Sequence, residues 1–184
     1  MKISQVIFGL IAIAVLASDN KLVEAQRRPP GVFSLGEMGC RQVEGRQYSP
    51  MNQDVSIGFE IYRAVGVFGN DYHWGFSKEQ PSRKTACRLA SNGEKPKFKT
   101  LTLAVGLDDS NIFSNGALLR LSIYKDGEPA KYVDISKGQK FLIPIDVKNT
   151  RSIGLELKCL RNVQQGMNAD DACPPVYFFE DVLE

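Results

Sequence analysis

Residues 118–135 read LLRLSIYKDGEPAKYVDI and carry the strongest fold signal in the chain. Apolar and polar residues alternate in its first half, as expected of a strand with one buried face. The apolar positions there are Leu119, Leu121 and Ile123. Asp126-Gly127 then forms a strong hairpin signal, because glycine adopts a positive φ at little cost. Residues 131–135 supply the partner strand, so the stretch predicts an antiparallel β-hairpin.

Similar strand patterns recur along the chain, with turn residues between them. They cover residues 55–62, 97–107, 141–147, 152–160 and 176–183. No segment carries a long helical stripe, and a short helix over 82–90 is the one helical alternative. Pro144 cannot donate to a sheet, so its strand is predicted at an edge or with a bulge. About seven or eight short strands predict an all-β fold, a two-sheet antiparallel β-sandwich with jelly-roll connections.

The N-terminus has the pattern of an export signal. Lys2 precedes the apolar run Val6–Ala17, which is too short for a spanning helix of about 20 residues. Val23-Glu24-Ala25 fits a signal-peptidase site, so residues 1–25 are predicted as a signal peptide. The mature chain would then have no membrane span and be secreted, periplasmic or extracellular. The alternative is an uncleaved membrane anchor.

The mature chain is predicted to hold a single domain. Residues 26–35 contain Pro29-Pro30, which blocks regular structure, and are predicted as an extended leader. Residues 36–184 are of a length typical of one domain with its own core. The 23 basic and 21 acidic residues give a formal net charge of only +2. A nucleic-acid partner is not predicted, because it would need a clustered basic face.

The chain has four cysteines, and export makes disulfides the expected state. Four cysteines allow three connectivities. We prefer Cys159–Cys173, because this bond closes a short polar loop between two predicted strands. Cys40–Cys87 follows by elimination. A Cys/His metal site is not predicted, since no cysteines have close C-x-x-C spacing and the chain has one histidine.

Catalytic patterns are weak. The only histidine, His73, has no nucleophile that the sequence pairs with it, and no G-x-S-x-G elbow exists. The acidic pairs Asp108-Asp109 and Asp170-Asp171 are each adjacent in sequence. Adjacent residues of a strand point to opposite faces, so neither pair makes a glycosidase couple by itself. A non-enzymatic protein is therefore predicted.

Oxygen ligands for Ca²⁺ are available in residues 108–111, which read DDSN. The segment lacks the EF-hand pattern, and a plain hydrogen-bonded turn is the favoured interpretation. We therefore predict no cofactor, with Ca²⁺ as the alternative at this segment.

Residues 70–76 read NDYHWGF and concentrate aromatic and polar side chains in a predicted loop. Sugar rings pack their C–H faces on aromatic planes, for which Trp74 and Tyr72 are the candidates. Sugar hydroxyls need hydrogen-bond partners, which Asn70, Asp71 and His73 could supply. The alternative is that Trp74 is buried in the sandwich, as large apolar residues usually are. Contact with a membrane or a partner protein is a third interpretation.

Several stretches together resemble one family. They are FKTLTLAVGLDDS (98–110), ALLRLSIYKDGEPAKYVDIS (117–136), IPIDVKNTRSIGLELKC (143–159) and VYFFEDVLE (176–184). In their order and spacing they resemble the NPCBM family, named as carbohydrate-binding modules and found attached to some glycoside hydrolases. The likeness extends over about residues 56–183. It implies a galactose-binding-like β-sandwich that binds carbohydrate without catalysing a reaction.

The chain departs from the family in two places. A Gly-x-Gly-x-His-Ala-like segment of the family corresponds here to residues 66–69 followed by Tyr72-His73-Trp74, with extra residues between. A His- and Trp-bearing stretch before the last strand corresponds here to NADDACPP, which has no aromatic residue. The resemblance therefore carries no sugar contact over to that second segment.

These observations predict an exported carbohydrate-binding protein whose partner is a cell-wall or extracellular polysaccharide. Trp74 and Tyr72 would stack on the sugar. The polar contacts would come from Asn70, Asp71, His73, Asp108 and Asp109. The alternative is a structural or protein-interaction sandwich of the cell envelope that does not bind sugar.

Overall fold

The computed structural model describes residues 29–45, 48–69, 82–161 and 173–184. These ranges contain eleven strands and two short 3-10 helices, Leu35–Glu37 and Ile112–Ser114. The strands are β1 Phe33–Ser34, β2 Gly39–Glu44, β3 Tyr48–Ile57, β4 Glu60–Phe68, β5 Ser82–Arg88, β6 Thr100–Gly106, β7 Leu118–Lys125, β8 Glu128–Ile135, β9 Lys140–Asp146, β10 Ser152–Arg161 and β11 Val176–Leu183. In the part of the chain so described, no helix has the length and apolarity needed to cross a membrane. The predicted signal peptide lies outside these residues.

The strands form two antiparallel sheets. The six-stranded sheet has the order β3-β4-β11-β6-β9, and β1 pairs with the C-terminal end of β11. The five-stranded sheet has the order β2-β5-β10-β7-β8. The predicted all-β, two-sheet antiparallel sandwich is therefore confirmed.

The core lies between the inner faces of the two sheets. Alternate residues of β6 and β7 point into it and are fully buried, as the period-two pattern predicts. They are Leu101, Leu103, Val105, Leu119, Leu121 and Ile123. Burying one such side chain stabilises the fold by about 1.5–3 kcal/mol. The alternating stretches therefore supply the main driving force for stacking the sheets.

Both predicted disulfides are present. Cys40 and Cys87 are directly opposed residues of β2 and β5. Cys159 of β10 is bonded to Cys173, which precedes β11. The first bond joins the edge strand β2 to its neighbour β5. The second links β10 of the five-stranded sheet to the residues just before β11, the central strand of the other sheet.

Two predicted elements differ in the structure. The single strand predicted over 55–62 is split by a turn at Gly58-Phe59, where φ is 61° and 69°. The alternating pattern continues across this tight turn and conceals it, although glycine readily adopts the first of these angles. The helix considered over 82–90 is the strand β5, paired on both sides. Pro144 lies in the edge strand β9, as predicted.

The sandwich includes the last residues of the segment predicted as a leader. Phe33 and Ser34 pair with Leu183 and Val182, and Leu35 is fully buried. A buried carboxylate, that of Asp181, fastens this segment: its Oδ2 accepts hydrogen bonds from the Ser34 hydroxyl and from Gly36 N. Residues 33–35 therefore pair and pack with the sandwich.

Candidate functional site

The strands around the predicted aromatic loop define its frame. Residues 70–76, with Asn70, Asp71, Tyr72, His73 and Trp74, lie outside the described part of the chain. The strand before them, β4, ends at Phe68 in the six-stranded sheet. The strand after them, β5, begins at Ser82 in the five-stranded sheet. The segment therefore connects the two sheets.

The strand that precedes Asp108 and Asp109 ends beside β4. Strand β11 lies between β4 and β6, and Tyr177 is paired with both Val67 and Gly106. Because both pairings are antiparallel to β11, β4 and β6 run in the same direction and end together. Neighbouring strands lie about 4.8 Å apart, so these ends are about 10 Å apart. We call this end of the sandwich the loop end.

Asp108 organises the turn after β6. Its side chain is 6% exposed. Its carboxylate accepts hydrogen bonds from Ser110 N at 3.0 Å and Ser110 Oγ at 2.7 Å. A longer bond of 3.4 Å comes from Ser56 N. This is the local hydrogen bonding by which aspartate stabilises turns.

Asp109 fastens three turns together. Its Oδ2 accepts from Gly58 N at 2.6 Å, and its Oδ1 accepts from Gly138 N at 3.1 Å. Its own N–H donates to Ser56 O at 2.6 Å. Hydrogen bonds to an ionised carboxylate are stronger than neutral ones. Asp109 thus joins the β3–β4 hairpin tip and the β8–β9 turn to the end of β6. Its role as a sugar contact, like that of Asp108, remains a prediction.

The distal half of the β3–β4 hairpin crosses the outer face of the six-stranded sheet. Ile57 lies over Gly106, where an added Cβ would be 2.8 Å from Ile57 Cδ1. The Tyr62 ring stacks on Phe179 with 4.6 Å between centroids. This packing creates a second apolar cluster outside the main core, made of Val55, Ile57, Ala64, Val67 and Tyr177, with Met51, Tyr62 and Phe179 at its edge.

Tyr177 shows that this second cluster is shielded from water. Burial, with a smaller contribution from the negative charge of Asp108, raises the pKa of Tyr177 to about 12. The phenol is only 6% exposed. The hairpin therefore covers the outer face of the sheet at the loop end.

The described ranges contain no group of three His, Cys, Asp or Glu side chains placed to hold a metal. In the segment predicted for Ca²⁺, Asp108 and Asp109 already accept hydrogen bonds from backbone N–H groups. This arrangement matches the hydrogen-bonded turn favoured from the sequence.

The outer face of the five-stranded sheet carries a trough that the sequence did not predict. Its floor is formed by Ala86 and Gly154, and its ends by Arg41 and Tyr124. The strand register aligns these four residues in one row across β2, β5, β10 and β7. The cleft around Gly154 and Tyr124 has a volume of about 520 Å³.

Tyr124 is held in place beside the trough floor. A Cβ added at Gly154 would lie 3.2 Å from Tyr124 Cβ and 3.7 Å from its ring, so the glycine makes room for the tyrosine. The hydroxyl donates to Glu156 Oε2 at 2.6 Å. This hydrogen bond, with burial, raises the pKa of Tyr124. A glycine inside an alternating strand was the available signal, since it often marks close approach of another group.

Comparisons with solved structures identify the fold. The chain resembles the CBM51 domain from Clostridium perfringens GH95 in complex with methyl-galactose, with a TM-score of 0.55 and 11% identity over 83% of this chain and 99% of that one. It also resembles a structure of the CBM51-2 and INT domains of C. perfringens ZmpB, with a TM-score of 0.56 and 11% identity over 83% of this chain and 31% of that one.

A third similar structure contains the M60 catalytic domain of ZmpB with its CBM51-1 and CBM51-2 domains. There the TM-score is 0.53 at 10% identity, over 83% of this chain and 15% of that chain. No family model and no curated protein matches the sequence. The chain therefore shares the β-sandwich fold of these carbohydrate-binding modules, while membership of the NPCBM family stays a prediction.

Proposed function

We propose that this chain is an exported, non-enzymatic carbohydrate-binding domain that binds a cell-wall or extracellular polysaccharide. The observation that carries the proposal is the fold, which matches almost the whole of a module whose structure contains methyl-galactose. The NPCBM-like stretches in the sequence support the same function. The two disulfides support export, because such bonds persist in oxidising compartments.

The sugar site is proposed at the loop end. Trp74 and Tyr72 stack on the sugar ring, while Asn70, Asp71 and His73 bind its hydroxyls. The position of the flanking strands supports this assignment, since the strand ends before residue 70 and before Asp108 are about 10 Å apart. Asp109 completes the polar rim through carboxylate lone pairs that its two turn hydrogen bonds leave open, and the buried Asp108 supports the rim through the turn that it holds.

One observation favours a second candidate, a protein-interaction domain of the cell envelope. Phe59 is fully exposed at the tip of the β3–β4 hairpin, and Ile61 and Leu142 are 77% and 66% exposed. Phe59 and Ile61 lie two residues apart on this hairpin, and neighbouring exposed apolar groups often mark a contact with a partner. All three residues belong to elements of the six-stranded sheet.

A glycan array separates the two candidates. The mature wild-type chain, Trp74→Ala and Phe59→Ala are applied to the same array after each is shown to fold. We expect wild type and Phe59→Ala to bind the same glycans, and Trp74→Ala to lose at least about tenfold in affinity, equivalent to about 1.4 kcal/mol. Absence of any bound glycan, or equal binding by Trp74→Ala, would contradict the proposal.

A further inference from the structure

The trough is long enough for a chain-like ligand. Its row of residues crosses four strands, from Arg41 in β2 to Tyr124 in β7. At about 4.8 Å between strands, this row spans about 14 Å. The cleft of about 520 Å³ shares Ala86 and Ser152 with an adjoining cleft of about 270 Å³. The two clefts therefore adjoin one another along the sheet face.

One end of the trough is basic. Arg41 and Arg88 are diagonal neighbours on the outer face, because Arg88 is opposite Gly39 and Arg41 is opposite Ala86. Arg151 borders the same cleft. Its Nη2 donates to Ser91 O at 2.9 Å, which leaves other guanidinium donors open.

Arg41 and Arg88 differ from the paired cations of this protein. Arg63, Lys84, Arg120 and Lys140 each lie within 4 Å of a carboxylate. Neither Arg41 nor Arg88 has an ion pair or a side-chain hydrogen bond with any residue in the ranges that the structure describes. Their charges are therefore available to a ligand.

The positive charge is local to this face. A third cleft of about 340 Å³ shares Gly39, Arg41 and Arg88 with the second and extends it toward Lys95 and Lys97. The described residues that line the three clefts include six basic and three acidic side chains. The whole chain, in contrast, has 23 basic and 21 acidic residues. The excess thus arises from the assembly of distant residues on one surface.

The other end of the trough has the character of a sugar site. Tyr124 supplies a half-buried ring held by Gly154 and Glu156, and such a ring packs against apolar C–H groups. Beside it, Lys84 lies 3.6 Å from Glu156, so charged groups with hydrogen-bonding capacity flank the ring. An aromatic wall together with unpaired guanidinium groups fits a chain that alternates C–H faces with anionic groups.

We propose that the trough binds an acidic polysaccharide, with its carboxylate or sulfate groups on Arg41 and Arg88 and one sugar ring against Tyr124. Guanidinium groups bind such oxyanions with two parallel hydrogen bonds. The site lies on a sheet face, away from the loop end, and does not depend on Trp74. The proposal therefore goes beyond the proposed function, and a failure of the Trp74 site would leave it untouched.

Isothermal titration of the mature chain tests the proposal, with polygalacturonate as the carboxylated probe, heparin as the sulfated probe and neutral galactan as the uncharged probe. The variant is R41Q/R88Q. The charge-matched control is K99Q/K137Q, which removes two exposed lysines outside the trough. We expect R41Q/R88Q to lose at least about tenfold in affinity for one or both acidic polymers. The control and Trp74→Ala should stay within about twofold of wild type.

Equal affinity of wild type and R41Q/R88Q, or an equal loss in K99Q/K137Q, would overturn the proposal, because binding would then follow overall charge. Equal binding of polyglutamate or single-stranded DNA would overturn the assignment to a polysaccharide.

Gly154→Val provides an independent test, since its side chain fills the floor of the trough without changing charge. It should weaken binding of the acidic polymer, and an unaltered affinity in the folded variant would also contradict the proposal. If this variant does not fold, R41Q/R88Q alone decides.

Discussion

The buried carboxylate of Asp181 gives the sharpest stability prediction. Asp181 is 1% exposed, and its Oδ2 accepts a 2.7 Å hydrogen bond from the hydroxyl of Tyr48, which is 2% exposed. Its Oδ1 is buried without a hydrogen-bond partner among the described residues. The change Tyr48→Phe removes one donor from a carboxylate that water cannot reach. A hydrogen bond to a charged group contributes about 1.5–3 kcal/mol, so we expect a loss of about 2 kcal/mol in the free energy of unfolding.

Urea unfolding of the oxidised mature chain measures this loss. The midpoint should fall while the m-value stays constant, because the unfolded surface is unchanged. For a domain of this size, about 2 kcal/mol corresponds to a decrease in Tm of about 4–8 °C. Tyr132→Phe is the matched control: Tyr132 is 61% exposed, and its variant should change stability by less than about 0.5 kcal/mol.

A double-mutant cycle then tests whether Tyr48 acts through Asp181. The hydroxyl of Ser34 donates to the same carboxylate oxygen, so Ser34→Ala and Tyr48→Phe should be non-additive by more than about 0.5 kcal/mol. The explanation would be refuted by a Tyr48→Phe variant as stable as Tyr132→Phe. Strict additivity in the cycle would refute the shared acceptor.

Three further predictions concern the loop end and the disulfides. Asp109→Ala should destabilise the domain by about 1–2 kcal/mol and speed hydrogen exchange of the Gly58 amide, because the carboxylate no longer accepts from that amide. A raised pKa of about 12 for Tyr177 means that stability present below pH 10 is lost as the pH rises toward 12, by up to about 2–3 kcal/mol; alkaline urea titrations should show this loss in wild type and less of it in Tyr177→Phe. Intact-mass analysis should find no free thiol without reductant, and replacing both Cys159 and Cys173 by serine should cost about 3 kcal/mol in thermal unfolding. Unchanged exchange at Gly58, equal alkaline profiles or free thiols would each contradict the corresponding prediction.

Local signals were sufficient for most strands. The Asp126-Gly127 turn lies between two alternating segments, and it forms the β7–β8 hairpin because all of its determinants are adjacent in sequence. Pro144 likewise indicated an edge strand by itself, because its missing N–H cannot donate to a neighbouring strand. The turn at Gly58-Phe59 was missed, because the alternation of apolar residues continues through it. The contact that holds it comes from Asp109, which is distant in sequence.

The loop end could be predicted in part and the trough could not. Asp108 and Asp109 were identified as turn residues. Their partners Ser56 and Gly58 become neighbours only when the hairpin crosses the sheet, and Gly138 only when β9 pairs with β6. The trough takes one residue from each of β2, β5, β10 and β7, whose order in the sheet differs from their order in the chain. The pattern of apolar and polar residues within a single strand cannot predict a row that is assembled from four strands.

Fluorescence of Trp74 is the decisive measurement for the proposed sugar site, because the chain contains a single tryptophan and its emission reports one position. If Trp74 stacks on sugar, iodide and acrylamide should quench its emission. Added polysaccharide should shift the emission and protect it from quenching. The protection should be lost on addition of soluble sugar that competes for the site. A blue emission that neither quencher reaches and that no polysaccharide alters would place Trp74 in the interior and contradict the proposed sugar site.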